Sequence, residues 1–466
     1  MAIRNTALSF EEIDREFSRA KKIFFIGIGG ISMSALAEYC VYCGKSVFGC
    51  DKTRGEKTKQ LEKICTVKYY STPDNVTGMD MVIYTNAIDE SNFEYKRAKK
   101  LKMCLISRAN FLGYVAQLHK YRIGISGMHG KSTTTALLGQ IFEYACKNPT
   151  VFCGAEMKEF NSSCKFGGRE YCIFEACEYQ NSFLSLPVTH SAVLNIELDH
   201  PDFFSSLDEI KKSFKRYTKA SDVLFLNGDD ENAMCIDHPN TVTFGFSKNA
   251  VYRAEILEKG EGSVIFPDKS DTRIYEYFSV YKKDTLLSIC ALPLCGEHFV
   301  KDALCAFAIA HSFGIAPNVI AYALENFKGS ERRMDFVKKL DTGADVFEDY
   351  AHHPSEISAS LSSFKRMGYK RILTVFQPHT YSRTFYLYKE FTRCFENTSH
   401  LIIVPIYSAR EVNLFEMSEE AFAKDCKGQY ISDEDEIIKY IFCKDWDCVV
   451  LMGAGDIAQK VKKLLK

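Results

Sequence analysis

The stretch "YRIGISGMHGKSTTTALLGQIFEY", residues 121–144, limits what this chain can fold into more than any other. An apolar run ends in a glycine-bearing turn with a lysine and a hydroxyl residue, and a helix-like segment follows. That order leaves unpaired backbone N–H groups at the start of the helix, where they can hold phosphate. The common pattern G-x-x-x-x-G-K-[ST] wants glycine at position 125, where this chain has Ile125 and carries Gly124 one residue early. The loss changes the loop's shape more than its chemistry. Gly127 and Gly130 are small, Lys131 can bridge phosphates, and Ser132 offers a hydroxyl to magnesium.

A strand, a glycine turn and a helix form one unit of a parallel sheet with helices on its faces, and two further segments open the same way. They are "KKIFFIGIGGISMSALAEYC" and a series after "FKGSERRMDF" that ends in "DCVVLMGAGDIAQKVKKLL". Three such openings, in 466 residues at about 150 per domain, predict three α/β domains: 1–112, 113–328 and 329–466. Between about 250 and 292 the alternating stretch reads as antiparallel strands set into the middle domain.

Composition excludes several function classes. The 59 basic and 60 acidic residues nearly cancel, leaving no field to gather nucleic acid or an anionic membrane. No run of about 18 apolar residues occurs, and "MAIRNTALSFEEIDREF" mixes charges where a signal peptide would be apolar. A cytoplasmic protein is expected. Its 18 cysteines are scattered singly through apolar segments, as reduced buried thiols are, and the C-x-x-C of Cys40 and Cys43 has no second ligand pair beside it.

In the first unit the strand "KIFFIG" runs into Gly27, Gly29 and Gly30. This approaches the fingerprint G-x-G-x-x-G, with Ser32 at the third glycine position and Asp51 after a second strand. Such a loop suits a nucleotide-type diphosphate or serves as a bare structural turn. In the middle unit, "YCIFEACEYQNSF" ends a strand at Glu175, and "SAVLNIELDHPDFF" ends one at Asn195, Glu197, Asp199 and His200. The carboxyl ends of parallel strands form the ligand crevice, so these residues are expected to meet the Lys131 loop and hold a metal against phosphates. The last third ends strands at Asp349, Tyr350, His352 and His353, at His379 and Arg383, and at Tyr407 and Arg410. Tyr, His and Arg at three strand ends suggest a pocket edge for an anionic, hydrogen-bonding substrate.

The motifs "GIGGISMSALA", "GMHGKSTTT", "FEACEYQNSFL", "NIELDHPDFF", "GEHFVKDALCA", "GSERRMD", "DYAHHPSE", "QPHTYSRT" and "GAGDIA" stand in the order of a known family. Over essentially its whole length the sequence resembles the Mur ligases of bacterial cell-wall synthesis, whose phosphate loop is G-x-x-G-K-[ST]. The resemblance implies a Rossmann-like N-terminal domain for a UDP-sugar, a central P-loop ATPase domain with a mostly parallel sheet, and a Rossmann-like C-terminal domain for the amino acid. It implies ATP as co-substrate, Mg2+, an acyl phosphate on the lactyl carboxylate of UDP-N-acetylmuramate, and attack by the amine of L-alanine. A monomer or weak homodimer is expected.

By the same resemblance, Gly127, Met128, His129, Gly130, Lys131, Ser132 and Thr133 hold ATP, with His298 and Arg332 along it. Ser132 and Glu175 would bind one magnesium and His200 a second. Gly27, Gly29 and Gly30 face the UDP-sugar, while Tyr350, His352 and Arg383 face alanine and the reacting carboxylate. Lys131, Glu175, His200, His352 and Arg383 are the expected catalytic set.

Departures from the family pattern bear on specificity. Phe299 and Asp302 stand where G-x-H-N-x-x-N has asparagines, and Thr380 replaces an arginine of Q-P-H-R-Y-S-R. Phe214 occupies the position of the carbamoylated lysine of later-acting relatives, which fits the alanine-adding branch. The competing readings are a recycling ligase that attaches a preformed tripeptide, an NAD(P)-dependent oxidoreductase on Gly27 and Gly29, and a non-catalytic nucleotide sensor.

Overall fold

The computed structural model describes residues 8–257, 275–409 and 411–465. Arg410 and residues 258–274 of the expected antiparallel stretch lie outside these residues.

Apolar strands alternating with amphipathic helices build three sheets. The first has five parallel strands in the order Thr66–Lys68, Ser46–Cys50, Lys22–Ile26, Met81–Tyr84, Cys104–Ser107. The order reverses at the central strand Lys22–Ile26, which places the Gly27 turn in a crevice at the sheet's carboxyl edge.

The second sheet has ten strands. Its parallel centre is His190–Val193, Tyr121–Ser126 and Tyr171–Glu175, so the Lys131 loop rises between the ends that carry Glu175 and the 195–200 loop. At one edge Tyr252–Ile256, Glu276–Lys282 and Thr285–Leu292 pair antiparallel, in agreement with the alternating pattern where it is described. The helix Glu297–Ser312 is mostly apolar and is buried from Asp302 to Ala310. It packs on the helix Lys131–Tyr144 and brings Asp302 beneath the phosphate loop.

The third sheet runs Asp335–Lys339, Asp345–Asp349, Cys448–Met452, Ile372–Phe376, His400–Ile403, Gln429–Tyr430, parallel except at its first pair. Cross-sheet ion pairs join the three units: Lys57 to Glu156 at 2.8 Å between the first and second, and Arg366 to Glu276 at 2.7 Å between the second and third.

All 18 cysteines are free thiols. Most are buried, but Cys43, Cys146 and Cys443 are exposed, against the expectation of uniformly buried thiols, because each sits where a helix has just ended. Among the described residues no helix is long and apolar enough to cross a membrane.

Candidate functional site

The phosphate loop is shaped by its glycines. Gly127 and Gly130 have φ of 141° and 82°, a region that L side chains rarely adopt. A Cβ on Gly130 would lie 2.3 Å from Oδ1 of Asp302, so the loop sits directly on that carboxyl. Asn195 fixes the loop from the side: its Oδ1 accepts from the His129 N–H at 2.9 Å, and its Nδ2 donates to the His129 carbonyl at 3.1 Å.

Lys131 turns back into its own loop. Its ammonium donates to the carbonyls of Gly127 (2.5 Å) and Met128 (3.0 Å) and pairs with Glu178 at 3.0 Å. Burial alone would push this lysine down, but the Glu178 carboxylate holds it above its ordinary value. Glu178 is 1 % exposed and also reaches His200 Nε2 at 3.1 Å, so one buried carboxylate joins two of the expected catalytic residues. Sequence reasoning brought Glu175, Glu197 and Asp199 to this loop and missed Glu178. The available signal was a second acid three residues past the strand end, but its direction depends on the turn Tyr179–Ser185, where Gln180 and Asn181 take positive φ.

Glu175 accepts from the N–H of Gly154 and lies 3.4 Å from Cys153 Sγ, which is 3.5 Å from the Ser132 carbonyl. Ser132, Glu175, Lys131 and His200 therefore gather around one loop, as the strand-end argument requires.

Beside them lies a cavity of about 490 Å³ between the second and third sheets. His129, Gly130, Thr133, His298, Phe299 and Arg333 are among its lining. Arg332 is turned elsewhere: it donates to the carbonyls of Gly453 and Gly455 and pairs with Glu348 at 2.7 Å. Arg333 lines the cavity and Arg332, expected along ATP, does not; the backbone takes positive φ at Arg332 (60°) and Met334 (45°). Phe299 packs against His298 with ring centroids 4.0 Å apart and the planes tilted by 40°, so an aromatic wall stands where the family has an amide. Burial pushes the Asp302 carboxyl up to about 8, against the lowering pull of Arg333 and His129.

On the third sheet Tyr350, His352, His379 and Tyr407 form a continuous row, with successive ring centroids 5.2, 5.9 and 5.7 Å apart. Burial pushes His352 down to about 3 and His379 to about 4, so both imidazoles are neutral acceptors. Arg383 lies beside this row, but its guanidinium already grips Asp199 at 2.9 and 3.3 Å and meets His379 Nδ1 at 3.0 Å. Thr380 caps the short helix that carries Arg383, accepting from its N–H at 3.4 Å. Phe214 is fully buried against Phe183 and offers no polar group.

In the first unit Gly27 has φ of 80°, and the Gly29 N–H donates to Asp51 at 2.8 Å. The helix Ile31–Tyr42 then starts after Gly30 with no side-chain cap, which leaves its first N–H groups for an anion.

Comparison with known proteins agrees with this arrangement. The chain matches the Mur ligase family, catalytic domain, over 22–120, the Mur ligase middle domain over 125–310, and the Mur ligase, glutamate ligase domain over 332–455. It is 36% identical over 459 residues to the UDP-N-acetylmuramate--L-alanine ligase of Clostridium kluyveri, covering 95% of this chain and 98% of that protein. It is 37% identical over 461 residues to the enzyme of the same name from Caldicellulosiruptor bescii, covering 96% and 98%. The solved UDP-N-acetylmuramate-alanine ligase of Thermotoga maritima shares its fold, with a TM-score of 0.80, 24% identity, and coverage of 95% and 98%. Three matching domain models in order, and relatives aligned from end to end, establish that the chain belongs to the Mur ligase family.

Proposed function

We propose that the protein is an ATP-dependent ligase joining L-alanine to the lactyl carboxylate of UDP-N-acetylmuramate, with release of ADP and phosphate. One observation carries the reading: Arg383 of the third sheet touches both His379 of the aromatic row and Asp199 of the second sheet, and Asp199 leads through His200 and Glu178 to Lys131, so the two walls meet at one place. A phosphoryl donor on one wall and an amine on the other need that arrangement. The likeness of the whole chain to enzymes named for alanine supports this reading over the tripeptide-attaching alternative.

The units 1–112, 113–328 and 329–466 divide the labour. The Gly27, Gly29 and Gly30 loop receives the diphosphate of the UDP-sugar at the uncapped helix start. Lys131 leaves the Gly127 and Met128 carbonyls and takes the β and γ phosphates, while Gly127 to Thr133 cradle them and Arg333 and His298 flank the nucleotide. Ser132, Glu175 and His200 supply hydroxyl, carboxylate and imidazole donors around the loop, a set that accommodates Mg2+. Magnesium, when bound, neutralises the crowded anions.

The lactyl carboxylate attacks the γ phosphorus, giving acyl phosphate and ADP. The alanine amine then attacks the acyl carbon, its proton leaves to an acceptor, and phosphate departs as the amide forms. His352 and Tyr350 orient that amine, His352 as a neutral acceptor, and Arg383 keeps the two walls in register. ADP release with UDP-N-acetylmuramate, measured against L-alanine, glycine, L-serine and a murein tripeptide, tests the assignment. Turnover with alanine supports it, and turnover with tripeptide alone contradicts it.

A further inference from the structure

Three donors at the rim of the cavity do not belong to the magnesium set. One ligand atom each from His129, Glu197 and His353 lies within 4.8 Å of the other two. His129 and Glu197 come from loops at the ends of second-sheet strands, whereas His353 caps the helix Pro354–Arg366 of the third. His129 Nε2 stands 2.6 Å from Glu197 Oε1, and His353 Nδ1 stands 3.7 Å from Glu197 Oε2.

Hydrogen bonds hold both imidazoles in place. His129 Nδ1 lies 3.0 Å from Glu356 and Nε2 lies 2.6 Å from Glu197, so without an ion the imidazole donates to both carboxylates, and a bound ion would take the place of the Nε2 proton. His353 Nε2 lies 3.3 Å from the Leu198 carbonyl, an acceptor only, so the proton sits on Nε2 and the lone pair on Nδ1. That lone pair accepts from the Ser355 N–H at 3.4 Å in the helix cap, a long contact that a bound ion would replace. The Ser355 hydroxyl stands between Glu197 Oε1 (2.9 Å) and His353 Nδ1 (2.8 Å), with one proton for two acceptors. Ligating histidines in metal sites commonly give their other N–H to a carboxylate or a carbonyl, and both do so here.

We propose that His129, Glu197 and His353 form a binding site for a zinc-type divalent cation that pins the second sheet to the third. Two imidazoles among three donors favour a borderline-soft first-row ion over magnesium, which takes mainly oxygen donors. Because His129 is part of the phosphate loop and His353 belongs to the opposite wall, an ion here fastens the crevice shut and arrests turnover. The site does not depend on which amino acid the enzyme uses, since its donors form without any substrate.

The test uses untagged, full-length, ligand-free protein titrated with Co2+, whose absorption reports donor type and geometry. The expected result is a visible d–d band of a low-coordinate nitrogen and oxygen site without thiolate charge transfer in the near ultraviolet, displaced by Zn2+. His353→Gln and Glu197→Gln should each weaken that binding by about tenfold or more, while Ser132→Ala leaves it intact. In parallel, Zn2+ should inhibit the wild-type enzyme in excess Mg2+ and ATP, and His353→Gln should need about tenfold more Zn2+. Circular dichroism and melting confirm that each variant is folded. A spectrum unchanged in both folded variants, or one carrying thiolate charge transfer, would overturn the proposal.

Discussion

The guanidinium of Arg383 closes on the carboxylate of Asp199 at 2.9 and 3.3 Å, joining the third sheet to the second at the floor of the crevice. Both side chains are almost fully buried, at 5 % and 3 % exposure. A charge pair removed from water on both sides is costly to break from one side, because the survivor has no solvent to return to. Arg383→Ala is therefore expected to cost about 3–5 kcal/mol in urea unfolding, and Asp199→Asn a similar amount. Although burial opposes ionisation, Arg383 and His200 hold Asp199 well below the usual carboxylate range. That stability is present above the unfolded value near 3.9 and is lost as pH falls through the folded one, so acid unfolding of Asp199→Asn should be the less steep.

Lys131 and Glu178 make a second pair of this kind, but one that ATP is expected to break. Lys131→Ala should lower kcat by about 100-fold or more, since it removes a cation from the site of phosphoryl charge. Glu178→Gln leaves Lys131 buried without its anion and should lower the melting temperature of the ligand-free protein. Added ATP should then raise that temperature more in Glu178→Gln than in the wild type, because phosphate supplies the missing partner. Equal shifts in the two proteins would count against this role for Glu178.

Asp302 is expected to make ATP use depend on pH. Burial raises its carboxyl to about 8, with Arg333, His129 and Lys301 pulling it down and the Cys305 thiol nearby. The neutral form below that value resembles the family's amide under Gly130. Ionisation above it puts a negative charge under the phosphates, so KM for ATP should rise on the alkaline side of about pH 8. The folded value is raised, so the linked stability is full below about 3.9 and falls as pH climbs through the folded value. Asp302→Asn should flatten the KM profile, and an unchanged profile would refute the assignment.

The aromatic wall is expected to set base selectivity. Phe299 and Phe244 line the cavity and offer the nucleotide ring faces, with no amide to read its edge. Relative kcat/KM for GTP over ATP should be higher than in Phe299→Asn, where a hydrogen-bonding group is restored. Steady-state kinetics with both nucleotides decide it.

Much of this site was legible because its chemistry is local. Gly127, Gly130, Lys131 and Ser132 are contiguous, and the strand-end rule brings Glu175 and His200 to them without any knowledge of side-chain direction. What escaped was every decision made by a positive φ or a contact across sheets. Arg332 and Arg333 are neighbours with the same chemistry, and only the turned backbone at 332 and 334 shows which faces the cavity. Glu178 and Asp199 sit beside recognised residues, yet their partners Lys131 and Arg383 lie 47 and 184 positions away, where no spacing rule reaches. Arg383 was expected to face substrate, and its pairing with a buried acid was invisible because the sequence does not say how the second and third sheets meet.

The central claim is that ATP activates the lactyl carboxylate as an acyl phosphate, and the fate of a labelled oxygen tests it most directly. UDP-N-acetylmuramate carrying 18O in its lactyl carboxylate is turned over with ATP, magnesium and L-alanine, and the inorganic phosphate is analysed by mass spectrometry. The account predicts one carboxylate-derived 18O in each phosphate released, because the attacking oxygen leaves with the phosphoryl group when the amide forms. Phosphate free of label, with both 18O atoms kept in unreacted sugar while ATP is consumed, would contradict it.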